Sequence, residues 1–372
     1  MILLNKNINK CNKINSDGII NIASKTTFDN ATFNKLFTNK KYFSEAILIT
    51  DTDNIFNIID WLYWHINIIG FDHVILIDNS DKVNIKIVCD IFSEKVKYYK
   101  FDGFISQMDI YTKFVNESEA EWVLPIDDDE FLFLSDKYKN INDFIKINIT
   151  KFAIYKFAIN WICMFSNDLL IDRDYKNSYI EDFTYSYNGE NGFIEYLGLI
   201  KTLVNTNIYH LYISENADEI NINLKDLNFK KTIKKYNNNN LFNFILQSKW
   251  DRIGSVHNPI SKYNDIYECA FDTELSQFYL GMFNASYSNY NGDIYLAHYK
   301  YRSVNEWLFK IYERKKFPSN SLKYYNTIQV KDSIYKSYTY NKFFKKNNKL
   351  LNKYIQNKPE ILKLKSKVFT NI

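Results

Sequence analysis

The chain has 372 residues, 46% of them hydrophobic, which excludes an intrinsically disordered segment and a disulfide-stapled miniprotein. Its 47 Lys+Arg against 43 Asp+Glu leave a net charge of only +4, too little for a chain whose main business is gripping nucleic acid. With 9 glycines in all, no GxGxxG or GxxxxGKS/T phosphate cradle is present.

Residues 1–44 are polar and weakly periodic and read as an N-terminal extension. Met1 to Lys10 lacks an apolar core behind a basic start, and no run of about 18 apolar residues occurs, so a soluble, cytoplasmic protein is expected. The cysteines, Cys11, Cys89, Cys163 and Cys269, lie far apart without a CxxC and read as buried thiols rather than a zinc site or a redox pair. In an Asn-rich chain of this kind the N-x-S/T sequons at Asn30, Asn116, Asn148 and Asn284 are taken as accidental.

The main domain is expected over 45–340. Apolar β-type runs recur at Ala46–Thr50, Val74–Ile77, Val96–Phe101 and Trp122–Ile126, with helical periodicity between them. The clearest helix spans Asn54 to Ile69, with Gly70 placed to end it in a left-handed cap. Strands alternating with helices at this interval need right-handed crossovers, hence a mostly parallel sheet buried between helical layers. Ligands of such sheets bind beyond the carboxyl ends of the strands. Three of the four strands end in acids: Thr50-Asp51-Thr52-Asp53, Asp78-Asn79-Ser80-Asp81 and Asp127-Asp128-Asp129-Glu130.

Turn chemistry accounts for Asp and Asn after the first two strands as readily as a site does. The third run is different, because Trp122-Val123-Leu124-Pro125-Ile126 leads in and Phe131-Leu132-Phe133-Leu134 leads out. Acids held at the end of a buried element repel one another unless a cation compensates. Hard oxygen donors at this density suit Mg²⁺ or Mn²⁺ shared with a diphosphate, and the spacing of an EF-hand calcium loop is absent.

Four segments in fixed order resemble A-type-fold glycosyltransferases, in particular family 92 and family 2-like enzymes. They are Trp64-His65-x4-Gly70-Phe71-Asp72-His73-Val74-x2-Ile77-Asp78-Asn79-Ser80, Gln107-x3-Tyr111, Glu121-Trp122-Val123-x2-Ile126-Asp127-Asp128-Asp129-Glu130-Phe131, and His298-Tyr299-x2-Arg302-Ser303-x2-Glu306-Trp307-x2-Lys310. The resemblance implies a Rossmann-like nucleotide-sugar-binding fold, a mixed, mostly parallel sheet flanked by helices. It implies a DxD motif in Asp127 and Asp129, joined by the late His298 as ligands of Mn²⁺ or Mg²⁺, with the imidazole tilting the choice to manganese. Thr50, Asp51, Asp78, Asn79, Gln107, Tyr111 and Asp128 fall with Asp127 and Asp129 at the donor side, Trp161 and His257 at the acceptor side. The family's Glu-x-Phe segment maps to Glu181-Asp182-Phe183, which makes Glu181 the candidate general base and Asp182 its substitute. Two departures stand out: a Thr-Asp-Thr-Asp run replaces the usual Lys-Asn-Glu type segment, and Trp161-x3-Phe165-Ser166-Asn167 lacks the family's Gly.

The expected reaction is transfer of a hexose-type sugar from a UDP-sugar to a hydroxyl of a glycan, protein or lipid acceptor, by direct displacement with inversion. The leaving diphosphate would be neutralised by the metal and the hydroxyl deprotonated by a carboxylate. The competing reading is a non-catalytic nucleotide- or carbohydrate-binding module; a metal-dependent nuclease or nucleotidyltransferase is more distant. The last segment, 341–372, holds nine of the lysines and a single acid. It reads either as a solvated amphipathic helix that caps the domain or as a tail that attracts a membrane or another anionic surface.

Overall fold

The computed structural model describes residues 40–149 (apart from 53, 82, 104 and 105), 156–165, 172–187, 200–206, 208–214, 231–238, 241–248, 252–255, 258–260, 269–271, 277–279, 293–299, 302–303, 305–306, 338–340 and 348–370. His257 and the first 39 residues lie outside them.

The four expected strands are present as β1 (Tyr42–Thr50), β2 (His73–Asp78), β3 (Val96–Lys100) and β4 (Ala120–Asp127), parallel in the order β4-β1-β2-β3. The first three residues of β1 fall within the stretch read as an extension. Register places Ile49 opposite Asp127 and Thr50 opposite Asp78, so the strand ends lie side by side on one rim. Side chains along β1 alternate between two cores, as a strand between two layers must. Ala46 and Leu48 pack with α1 (Ile55–Tyr63), and Ile47 packs on the other face with Tyr111, Phe114 and Val115 of the helix that crosses between β3 and β4.

Asn54 caps α1 with its side chain on the Phe56 N–H, and the helix then widens into a π-helical segment, Trp64–Ile69, that ends at Gly70. The expected left-handed cap is there, with φ +83 at Gly70. A Cβ at this position would stand 2.9 Å from the Cβ of Asn140, whose side chain accepts the Asp143 N–H at the start of α4 (Ile141–Phe144). Gly70→Ala is therefore expected to cost about 1–3 kcal/mol, from the left-handed backbone and the displaced cap together, measurable as a lower urea midpoint at unchanged slope.

Between these elements lie α2 (Lys86–Ile91) and α3 (Gln107–Glu117). Beyond β4 the direction changes. Strands β5 (Glu130–Leu134), β6 (Lys156–Phe165), β7 (Tyr185–Tyr187), β8 (Ile200–Asn205), β9 (Ile208–Ser214), β10 (Lys231–Asn238), β11 (Leu241–Ser248), β12 (Arg252–Ser255), β13 (Asn258–Ile260), β14 (Cys269–Phe271), β15 (Gln277–Tyr279), β16 (Ile294–His298) and β17 (Tyr338–Tyr340) follow. Strand β8 runs antiparallel between β4 and β6, extending the parallel core, while β16 lies antiparallel to β5 and parallel to β6. The expected class, a Rossmann-like α/β sheet flanked by helices, is what the structure has, with an antiparallel extension that periodicity in the first 130 residues could not reveal.

Helix α5 (Tyr179–Asp182) precedes β7, and α6 (Lys349–Gln356) and α7 (Lys358–Phe369) close the described chain. These last two helices pack on α1 and the π segment: Leu350, Tyr354, Ile361 and Val368 are buried in the same core as Trp61 and Trp64. The described part of the C-terminal segment thus packs on the domain as two helices. Cys89 and Cys163 are buried as thiols, and burial pushes the Cys89 thiol up to about 12.

Candidate functional site

Two tryptophans hold the acidic turn. The indole N–H of Trp61 donates to the carbonyls of Asp127 (3.1 Å) and Glu130 (3.0 Å), and that of Trp64 donates to Leu132 O (2.7 Å). His65 completes the brace. Its Nδ1 faces Trp61 O at 2.9 Å and its Nε2 accepts the Leu132 N–H at 3.2 Å, which fixes the Nδ1–H tautomer. Burial pushes this imidazole down to about 3, so it stays neutral, as a structural histidine should. His73 pairs through Nδ1 with Glu45.

The four acids then diverge. Asp127 Oδ1 accepts from Gln107 Nε2 (2.7 Å) and Tyr111 OH (3.0 Å), and its Oδ2 meets Lys201 Nζ at 3.0 Å. Asp128 takes Thr50 Oγ1 at 2.9 Å on Oδ2 and Arg302 Nη2 at 2.7 Å on Oδ1. Asp129 accepts from Arg302 Nη2 at 3.0 Å through Oδ2, while its Oδ1 lies 3.5 Å from His298 Nε2. Glu130, wholly buried, accepts the Asp127 N–H at 2.9 Å and lies 3.4 Å from Lys201. The Asp127 side chain is 27% exposed against 3% for Asp129, so it is the carboxylate at the open edge.

Lys201, in β8, is a cation that no sequence pattern singles out. Burial alone would lower its pKa; the carboxylates of Asp127 and Glu130 outweigh that and hold it above the ordinary lysine range. Burial pushes the Glu130 carboxyl well above its ordinary range, against the pull of Lys201. Lys201 thus stays charged and pairs first with the nearer Asp127. Glu130 Oε1 has no hydrogen-bond partner. Arg302, the second internal cation, is the one non-glycine with positive φ among the described residues, at +47. That strained backbone sets its guanidinium across Asp128 and Asp129.

The structure thus brings together Thr50, Gln107, Tyr111, Asp127, Asp128, Asp129 and His298. Trp161 joins them with its ring 4.2 Å from the His298 ring, buried rather than presented as an open stacking platform. Asp51 follows on the same rim, exposed. Asp78 and Asn79 sit beside Thr50, with Asn79 N donating to Thr50 O at 2.8 Å. Their side chains serve the local turn: Asp78 accepts from Ser80 N and Oγ and from Tyr98 OH, and Asn79 Nδ2 donates to Phe101 O and Gly103 O.

Glu181 and Asp182 are placed elsewhere in the contact network. Glu181 closes a capping box with Ser178 and meets Lys358 of α7. Asp182 accepts from Arg173 Nε at 2.9 Å. Arg173 also donates to Asn57 Oδ1 and Glu306 Oε1, and its guanidinium lies 4.0 Å from the Tyr179 ring centroid. The Ser178-x-x-Glu181 spacing is a capping signature readable in the sequence.

For a divalent ion, Asp129 Oδ1 and His298 Nε2 form a usable oxygen–nitrogen donor pair. Among the described residues no three His, Cys, Asp or Glu side chains form a group that could hold an ion by themselves, and Asp127 is turned to Lys201. An ion held by this pair alone would have to take its remaining ligands from a diphosphate and water, as Mg²⁺ and Mn²⁺ can.

No protein-family model matches the chain, and no curated protein matches it. Solved structures similar to it include S. aureus TarS (TM-score 0.23, 12% identity, over 33% of this chain and 22% of that one). TarS 1–349 in complex with UDP gives 0.24 and 12%, over 33% and 36%, and TarS 1–349 gives 0.26 and 11%, over 50% of each. This chain spans half or less of the length of those structures, and likenesses at such TM-scores carry nothing about its activity.

Proposed function

We propose that the chain is a glycosyltransferase that moves a hexose-type sugar from a UDP-sugar to an acceptor hydroxyl with inversion, using Mn²⁺ or Mg²⁺. The observation that carries this reading is the convergence of Asp129 and His298 from distant segments beside Asp127, Thr50, Gln107 and Tyr111, at the carboxyl rim of the parallel strands. In this reading Asp129 and His298 hold the ion, and Asp127 joins them by exchanging its contact with Lys201. When bound, the ion would neutralise the charge that develops on the departing diphosphate. Arg302 keeps Asp128 and Asp129 from repelling each other, and Gln107 and Tyr111 orient Asp127. Asp51, Asp78 and Asn79 border the nucleoside, Trp161 and His257 the acceptor. Glu181, with Asp182 as substitute, takes the hydroxyl proton after exchanging its partner Lys358.

One observation favours the second reading, a binding module without turnover: both candidate bases are committed to a helix cap and to ion pairs. Thermal shift with UDP and Mn²⁺ followed by a screen of UDP-hexoses for hydrolysis separates the two. Metal-dependent stabilisation by UDP is expected, about 2.7 kcal/mol at a hundredfold excess over Kd. Asp129→Asn and His298→Ala should weaken the metal dependence by more than the roughly 10–100-fold that outer-shell partners contribute. UDP binding without sugar release selects the module, and no metal-dependent response to UDP overturns the transferase.

A further inference from the structure

The side chain of Arg173, in the loop ahead of α5, has no exposed surface. Its guanidinium is spent in three directions. Nε donates to Asp182 on α5 at 2.9 Å, Nη1 donates to Asn57 Oδ1 on α1 at 2.9 Å and to Glu306 Oε1 at 3.2 Å, and Nη2 donates to Asn177 O at 3.1 Å. A planar fork of five donors can hold these separate segments in one geometry, whereas the point charge of a lysine can match only part of the set.

Glu306 carries this fixation toward the acidic turn. Burial alone would raise its carboxyl; the charges of Arg173 and Arg302, with the hydrogen bonds from Ser303, outweigh that and hold it below the ordinary glutamate range. Its Oε1 also accepts from Tyr179 OH at 3.1 Å, and its Oε2 accepts Ser303 N at 3.1 Å and Ser303 Oγ at 2.7 Å. Ser303 follows directly on Arg302, whose φ of +47 persists only where the surroundings over-determine it. Charges alternate along this line, from Asp182 to Arg173, Glu306 and Arg302, and then to Asp128 and Asp129. Both guanidiniums lie near the Tyr179 ring, that of Arg173 at 4.0 Å and that of Arg302 at 5.8 Å from its centroid.

We propose that Arg173 is a positioning residue of the donor site: through Glu306 and Ser303 it holds the left-handed backbone at Arg302 that sets one guanidinium across both Asp128 and Asp129. The inference rests on the transferase reading and extends it to a side chain that lies in no sequence pattern and acts only through others. The test is calorimetric titration of the full chain with UDP in the presence of Mn²⁺, well below the thermal midpoint of each variant. Arg173→Lys and Glu306→Gln are compared with Ile141→Ala, a truncation of a fully buried side chain in α4, whose neighbour Asn142 meets Ser44 near the start of β1. All three should lower the midpoint. The Kd for UDP should rise about tenfold in Arg173→Lys and in Glu306→Gln, at the lower end of what outer-shell partners contribute, and stay unchanged in Ile141→Ala. A lowered midpoint with an unchanged Kd in Arg173→Lys would make Arg173 a packing group and overturn the proposal, as would an equal rise in Ile141→Ala. Should Arg173→Lys fail to fold, Glu306→Gln, which keeps the shape of the side chain one step further along the same line, decides by the same criterion. No binding of UDP with Mn²⁺ by the unsubstituted protein overturns the transferase reading and the inference with it, whereas binding that the variants leave untouched overturns the inference alone.

Discussion

Replacing Lys201 by methionine is expected to destabilise the protein by about 3–5 kcal/mol, because it removes a buried ammonium and leaves Asp127 and Glu130 without their cation. Methionine keeps most of the stem's length and packing, so the loss reads the charge rather than a cavity. The urea midpoint should fall at unchanged slope. Adding Glu130→Gln to the variant should return part of the loss, since a neutral amide tolerates a site that a carboxylate without its cation does not. A double-mutant cycle then measures the coupling, expected in the range of about 0.5–3 kcal/mol between contacting groups. Additive losses would show that Lys201 and Glu130 do not communicate. The sheet extension through β8 would then matter to the acidic turn only as packing.

Lys365→Met is the second large effect, and it carries a pH signature. Asp60 is 1% exposed and receives Lys365 Nζ at 2.8 Å and Tyr354 OH at 3.2 Å. Burial pushes its carboxyl up to about 6, with Lys365 pulling the other way. For an acid whose folded pKa is raised, the folded state holds the proton more tightly than the unfolded one. That contribution to stability is fully present below the unfolded value of 3.8 and is lost as pH rises through about 6. Without Lys365 the folded pKa climbs further and the ionised carboxylate has lost its cation. The variant should therefore lose about 3–5 kcal/mol at pH 8 and clearly less at pH 5, where Asp60 takes up a proton instead. Unfolding curves at the two pH values check it, and Asp60→Asn in the same chain should recover most of the loss at pH 8. A deficit that is equal at both pH values would mean that Lys365 acts by packing alone.

Much of the donor-side arrangement is legible in the order of residues alone. The strand ends at Thr50, Asp78 and Asp127 lie on one rim because periodicity locates the parallel strands, and parallel register brings their carboxyl ends level. Gly70 marks the end of its helix, and φ +83 is what an αL cap requires. The π-helical widening at Trp64–Ile69 is not legible, since the shift to a longer hydrogen-bond spacing leaves the apolar pattern nearly unchanged. Yet that segment, with Trp61, sets the indoles against the acidic turn. Glu181 reads as a base only while the Glu-x-Phe resemblance outweighs the shorter Ser-x-x-Glu capping pattern, and it is the capping pattern that decides its contacts in the structure.

The sequence by itself determined where acids gather and which strands deliver them, because those facts rest on local pattern and on the handedness of crossovers. Only the tertiary structure decided what compensates those acids. Lys201 and Arg302 lie about 70 and 170 positions away from them, in a strand that reverses direction and in a single left-handed residue. A charge partner is chosen by distance in space and by the low dielectric of a buried site, and neither leaves a mark on the order of residues along the chain.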